Sequence, residues 1–492
     1  MPLLALEHLD KHYGAVHAVR DVSLAFEPGR LHAVAGENGA GKSTLLKMAA
    51  GVVTPSSGQV VVDGARLEPH TAREAIRRGV GMVQQHFALV PVLSALDNVM
   101  LGSEPVRSWG RLDRAVARSR AEAVAREVGV ALPWDAPVET LGVGDRQRLE
   151  IVRTLVREAR VIILDEPTAV LTPGEATALY ATLRKMADAG RAVIVVTHRL
   201  DEVRDHADEV SVLRQGRLVS TRTVSGRDET TQRQLTRDIM GQEPPEPLQR
   251  GSRTAGEVAL DVRDVRLGRA LRGVTFSARA GEVVGIAGVE GNGQRELVRV
   301  LAGLDAPDAG EVRSGSVAVV HEDRHAEGLV LGATVRDNLV LGELGRFASP
   351  LGIIDGAAVE AQARARLDRA NVVPPDLDAL AGTLSGGNQQ KVVMARAVAR
   401  ADRVQVFVFA QPTRGVDIGA ARAIHGEILR MAEQGKAVVV VSADLAELRA
   451  LSDRILVLSR GRIAGEFTPD TTEMRLGEAM LGGPQQTTQA AP

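Results

Sequence analysis

Residues 36–43 run Gly-Glu-Asn-Gly-Ala-Gly-Lys-Ser, the G-x-x-x-x-G-K-[ST] spacing of a phosphate loop. Its glycines let successive backbone N–H groups curl around phosphate oxygens, and a helix opening behind them adds its positive dipole end. Gly36, Glu37, Asn38, Gly39, Ala40, Gly41 and Thr44 are therefore candidate nucleotide-binding positions. Lys42 can reach the β- and γ-phosphates, and the Ser43 hydroxyl can ligate Mg²⁺. Further along, Val161-Ile-Ile-Leu164 leads into Asp165-Glu166, two carboxylates just beyond a buried strand, where α/β sheets gather ligand-binding groups. Asp165 would hold Mg²⁺ or its waters, and Glu166 would orient and deprotonate an attacking water. An isolated Asp-Glu pair is more simply a solvated strand end; a phosphate loop in the same half of the chain favours chemistry.

The elements that must position these groups occur twice. Residues 34–41 reappear at 286–293, an offset of 252, and Leu141-Gly-Val-Gly-Asp reappears as Leu384-Ser-Gly-Gly-Asn, an offset of 243. Asp165-Glu166-Pro167-Thr168 returns as Ala410-Gln411-Pro412-Thr413, and Val196-Thr197-His198 as Val441-Ser442-Ala443, both at an offset of 245. Four features in one order at nearly constant spacing mark two homologous halves. Within a half, β-branched runs (Leu31 to Ala35, Val161 to Leu164, Ala192 to Val196) alternate with helical stretches (Thr44 to Ala50, Arg148 to Glu158). Runs apolar throughout suit strands buried on both faces, so each half is expected to be an α/β domain with a largely parallel sheet. The expected organisation is a first domain at 1–240, a Pro- and Gly-rich linker at 241–257, a second domain at 258–481 and a disordered tail at 482–492.

Composition narrows the classes. A chain of 492 residues exceeds what one core usually fills. With no cysteine there is no disulfide scaffold, thiolate metal site or cysteine nucleophile, which fits a reducing compartment. Net charge −2 gives no general attraction to nucleic acid, and the preference for Arg over Lys is taken as codon bias. The longest apolar stretches fall far short of the ~20 residues that span a bilayer, and the N-terminus lacks a signal-peptide apolar region. The expectation is a soluble, intracellular chain that does not cross a membrane by itself.

The order of phosphate loop, Gln85, a Leu-Ser-Gly-Gly type stretch, Asp-Glu-Pro-Thr and a strand ending in Thr-His resembles the ATP-binding subunits of ABC transporters, twice over. The resemblance implies two tandem P-loop nucleotide-binding domains, each with a helical signature region. It implies that Tyr13 stacks on adenine, that Gln85 joins the metal site to membrane subunits, and that His198 contacts the γ-phosphate. Singly, each has a simpler role as a packed aromatic, a surface-loop amide or a strand-end histidine; their collinearity favours the functional one.

The resemblance also implies head-to-tail pairing, the phosphate loop of one half facing the signature of the other. One composite site then holds Lys42, Ser43, Gln85, Asp165, Glu166 and His198 with Ser385, Gly386, Gly387, Asn388 and Asp417, and should hydrolyse ATP. The other has Gln294 and Arg295 for Lys and Ser, Ala410-Gln411 for Asp-Glu, Glu322 for Gln85, Ala443 for histidine and Gly142-Val143-Gly144 for Ser-Gly-Gly. Glutamine cannot accept a proton from water, so hydrolysis is not expected there. Leu384-Ser-Gly-Gly-Asn-Gln-Gln-Lys and Pro412-Thr-Arg-Gly-Val-Asp look like tandem ATPases of simple-sugar and nucleoside importers. Thr168 to Pro173 and Ala410-Gln411 lean toward nucleosides. The implied partners are two membrane permease subunits and, indirectly, an extracytoplasmic solute-binding protein, with no nucleic acid. The implied cofactors are ATP and Mg²⁺, and the implied location is the cytoplasmic face of the membrane. The alternatives are a soluble tandem ABC protein acting on ribosomes or DNA and a non-hydrolysing scaffold. A short proline-rich linker and missing cysteines oppose the first, and Asp165-Glu166 with His198 opposes the second.

Overall fold

The computed structural model describes residues 1–14, 16–84, 87–168, 171–197, 199–224, 229–241, 253–289, 291–416 and 418–481. The tail expected at 482–492 and most of the expected linker lie outside them. The chain divides into two compact units, Met1–Pro245 and Glu246–Pro492.

In the first unit a six-stranded sheet runs in the order Arg217–Thr223, Glu209–Arg214, Leu31–Ala35, Ala192–Val196, Val161–Asp165, Val80–Val83. Every pairing is parallel except that of Arg217–Thr223 with Glu209–Arg214. The strands Leu31–Ala35, Val161–Asp165 and Ala192–Val196 are buried at every position, which explains their unbroken apolar sequence. Ile162, Ile163, Val193 and Ile194 are fully enclosed, each contributing about 1.5–3 kcal/mol by leaving water. A second, antiparallel sheet orders Val16–Phe26, Leu4–Tyr13, Ser57–Val62 and Ala65–Arg66. Leu4, Leu6, Val22, Leu45, Ile163 and Ile194 share one core, so both sheets and the helix Lys42–Ala49 close on it.

The second unit repeats the plan. Its six strands run Val317–Val320, Val406–Ala410, Ala437–Ser442, Val283–Ala287, Arg454–Ser459, Arg462–Phe467, again parallel but for the last pair. An antiparallel sheet of Leu271–Arg279, Val258–Leu267 and Ala309–Ser314 stands where the first unit has its own. Between the edge strand and the next, each unit inserts helices: Ala95–Met100, Arg114–Val128 and Val143–Val156 in the first, Val335–Val340, Gly356–Arg369 and Gly386–Val398 in the second.

Element boundaries differ in small ways from the expectations. The helix after the phosphate loop starts at Lys42 rather than Thr44, and the stretch expected at Arg148 to Glu158 is the end of Val143–Val156. Glu158, at φ +60°, has already turned out of it. The strand expected to end at Leu164 includes Asp165, whose backbone still pairs with Val196. Among the described residues no helix is long and apolar enough to cross a membrane.

Candidate functional site

The phosphate loop leaves the central strand Leu31–Ala35 and turns into the helix Lys42–Ala49 across Gly41, at φ +99°. A Cβ at Gly41 would stand 2.4 Å from the Ala18 carbonyl oxygen, so only glycine both takes the turn and passes that carbonyl. Within the loop the Ala40 amide closes a turn on the Glu37 carbonyl at 3.1 Å. Lys42 is buried and donates to the carbonyls of Gly36 (2.7 Å) and Glu37 (2.9 Å). Burial holds its ammonium below the ordinary lysine value, against the pull of Glu166, Asp165 and Glu37.

Two strands away, the Ser43 hydroxyl donates to Asp165 Oδ1 at 3.2 Å. Burial pushes the Asp165 carboxyl above its usual range and Glu166 adds to this, while the Ser43 hydrogen bond, Lys47 and Lys42 oppose it. An octahedral Mg²⁺ with bonds near 2.1 Å sets neighbouring oxygens roughly 3 Å apart, so the Ser43 and Asp165 oxygens fit that ion without rearranging. A nucleotide with its cation would relieve both perturbed groups, phosphate beside Lys42 and the metal beside Asp165. Glu166 follows with φ +47° and its amide on the Val196 carbonyl at 3.0 Å, so the adjacent strand fixes the corner that carries the carboxylate.

Tyr13 lies at the end of Leu4–Tyr13, half exposed, with the Lys11 ammonium 5.1 Å from its ring centre. That cation lies over one face of the ring. Gln85, His198 and Asp417 lie outside the described residues.

In the second unit Gly293 (φ +102°) caps the helix Gln294–Leu301 as Gly41 does its own. Gln294 donates to the Val289 carbonyl at 2.8 Å, the counterpart of the lysine bond to Glu37. Arg295, in place of Ser43, bonds Glu327 at 3.1 Å, and Glu322 pairs with Arg414. Gln411 keeps φ +47°, but its side-chain oxygen accepts from the Ala443 amide at 3.2 Å. An amide in that position offers water no base.

The two signature helices also differ. Ser385 caps Gly386–Val398, its hydroxyl accepting from Asn388 Nδ2 at 2.9 Å, and Asn388 Oδ1 accepts from the Val373 amide. Arg324 reaches this turn: Nε donates to Gln389 Oε1 and Nη1 to the Arg414 carbonyl, each at 3.2 Å. A Cβ at Gly386 would come within 2.7 Å of Arg324 Nη2. In the first unit, a Cβ at Gly144 would instead meet the Glu175 carboxylate at 2.6 Å. A cation therefore borders one signature and an anion the other.

Sequence reasoning missed Arg324 and Glu175, and it missed Glu202. The buried Glu202 carboxylate takes hydrogen bonds from Thr168 (2.6 Å), Tyr180 (2.8 Å) and Thr197 (3.1 Å), tying together the segments that follow two core strands. Its counterpart Glu447 takes them from Thr413 (2.8 Å) and His425 (2.9 Å). Glu202 and Glu447, and Tyr180 and His425, are each 245 positions apart, the offset already seen for Pro-Thr; that repeat was the available signal.

The chain is similar to known proteins. The family model described as ABC transporter matches residues 19–169 and 271–407. The ribose import ATP-binding protein RbsA 2 of Streptomyces avermitilis is 38% identical, over 98% of this chain and 97% of its own. The nucleoside import ATP-binding protein NupA of Lactococcus lactis is 36% identical, over 96% and 97%. Among solved structures, a protein titled RNase-L Inhibitor shares the fold with a TM-score of 0.63 at 20% identity, covering 97% of this chain and 93% of that one.

Proposed function

The chain belongs to the ABC transporter family as a tandem ATP-binding subunit, an ATP-hydrolysing enzyme, and from that premise we propose how its two units divide the work and what they serve. It energises an importer for nucleosides or simple sugars, with one competent composite ATP site. That site unites the first unit's Lys42, Ser43, Gln85, Asp165, Glu166 and His198 with the second unit's Ser385 to Asn388 and Asp417. The observation that carries this reading is the complementary loss. The first unit has every phosphate- and metal-facing side chain but a Gly-Val-Gly signature beside Glu175, and the second has Gln294 and Arg295 but an intact Ser-Gly-Gly beside Arg324.

In this site Lys42 exchanges its two carbonyl partners for phosphate oxygens, and the loop amides and helix N-terminus accept the remaining charge. Ser43 and Asp165 would hold Mg²⁺, which neutralises charge on the phosphates. Glu166 orients the attacking water and takes its proton. The Ser385-Gly386-Gly387 amides close on the γ-phosphate from the opposite side. The second unit's own loop serves as a structural or regulatory nucleotide position.

Two membrane permease subunits, fed by an extracytoplasmic solute-binding protein, supply the path, and the chain sits on the cytoplasmic face. Relatives named for ribose and for nucleosides stand at 38% and 36% identity, so identity does not separate the two solutes. Two measurements test the proposal. Glu166→Gln should lower phosphate release by about 10²–10⁴-fold while ATP still binds, and appreciable residual turnover would refute a single catalytic site. The chain should also co-purify with permease subunits from detergent-solubilised membranes, whereas recovery with ribosomes would overturn the import reading.

A further inference from the structure

The hairpin that ends in Tyr13 carries a cluster the ATPase chemistry does not use. Asp10 and His12 lie two apart on the strand Leu4–Tyr13 and so point to one face, and His12 pairs in register with His17 on Val16–Phe26. One atom from each of the three side chains lies within 4.8 Å of the other two. Asp10 Oδ1 accepts a hydrogen bond from His17 Nε2 and is 4.0 Å from His12 Nε2. The two imidazoles stack with centroids 3.8 Å apart.

The carboxylate is oriented from behind. Its second oxygen accepts from the Asp21 amide at 3.1 Å, and the Asp21 side chain is itself paired with His8 Nδ1 at 2.7 Å. Such outer contacts hold a ligand carboxylate in place. His12 is half exposed, which leaves both an entry path and a further coordination position open to water.

We propose that Asp10, His12 and His17 form a binding site for a divalent transition-metal ion of the Zn²⁺ class. Two imidazole nitrogens and one carboxylate oxygen suit Zn²⁺, Co²⁺, Ni²⁺ or Cu²⁺, whereas Mg²⁺ takes oxygen ligands, so this is not the ion that accompanies ATP. Bound there, the ion replaces the Asp10–His17 hydrogen bond and ties the two strands together one residue before Tyr13. Neither the family membership nor the division of labour between units enters this inference.

Titration of the full, chelator-stripped, nucleotide-free chain with Co²⁺ tests it through the visible absorption of the bound ion. One Co²⁺ should bind per chain, be displaced by equimolar Zn²⁺ and be unaffected by excess Mg²⁺. His12→Ala and His17→Ala should each weaken binding about tenfold or more. Asp10→Asn, which preserves shape, should do the same and guards against misfolding of the alanine variants, monitored by circular dichroism. Absence of saturable binding, or binding unchanged in the His12→Ala/His17→Ala double variant, overturns the site and leaves a hydrogen-bonded pair on a hairpin.

Discussion

Glu166 and Gln411 share one backbone strain and two fates. Both sit at φ +47°, a left-handed conformation that costs a side-chain-bearing residue about 1–2 kcal/mol. Both also give their amide to the neighbouring strand, Val196 and Val441 respectively, so the corner is built by the sheet and survives in the copy that has lost its acid. On the proposed mechanism the chemistry rests on the side chain alone. Restoring a carboxylate in the second unit should therefore restore nothing, because Gln294 lacks the cation and Arg295 the hydroxyl. Phosphate release by the Glu166→Gln/Gln411→Glu double variant is expected to stay at the level of Glu166→Gln, with an unchanged melting temperature. A rise above that level would show that the second loop can assemble a catalytic site.

At the scale of elements, strand, glycine turn and helix N-terminus form the unit of function, and the two copies allow fold and chemistry to be separated. Gly41→Ala forces a Cβ to within 2.4 Å of the Ala18 carbonyl oxygen and Gly293→Ala to within 2.6 Å of that of Ala270, each at strongly positive φ. Each should cost about 2 kcal/mol or more, about 4–8 °C in melting temperature for units of this size, read by calorimetry. Only Gly41→Ala should also abolish nucleotide hydrolysis. Arg324 belongs to this scale too, since it links the segment after Val317–Val320 to the turn that opens Gly386–Val398. Arg324→Ala is expected to lower kcat about tenfold with a smaller change in KM for ATP, and Arg324→Lys to restore little, because one ammonium cannot span Gln389 and the Arg414 carbonyl. The phosphate loop, the Asp-Glu corner and the repeat were legible in sequence because backbone geometry demands those residue types at fixed spacing. The contacts of Arg324 with Gln389, of Glu175 with Gly144 and of Glu202 with Thr168 were not, because each joins groups 31 to 65 positions apart that no local pattern connects.

For the whole molecule, the proposed crosswise pairing rests on how the losses are distributed between the units. Each unit has kept the half that the other has lost, the first its phosphate loop and Asp-Glu corner, the second its Ser-Gly-Gly. On the proposed pairing, the guanidinium beside Gly386 would favour an incoming γ-phosphate and the Glu175 carboxylate beside Gly144 would repel one. The proposed crosswise pairing would make the two signature caps unequal in a way that can be measured. Gly142 caps Val143–Val156, and a Cβ there meets nothing within 4 Å, so Gly142→Arg should fold normally. Ser385 makes no hydrogen bond to the helix backbone, only one from the Asn388 side chain, so Ser385→Arg should cost little stability as well. At saturating ATP, Ser385→Arg should reduce phosphate release at least a hundredfold, and Gly142→Arg should leave it within about twofold of the parent chain. The reverse result would mean that the first unit's loop works with its own signature, and the second unit would then have no part in hydrolysis to account for its intact Ser-Gly-Gly.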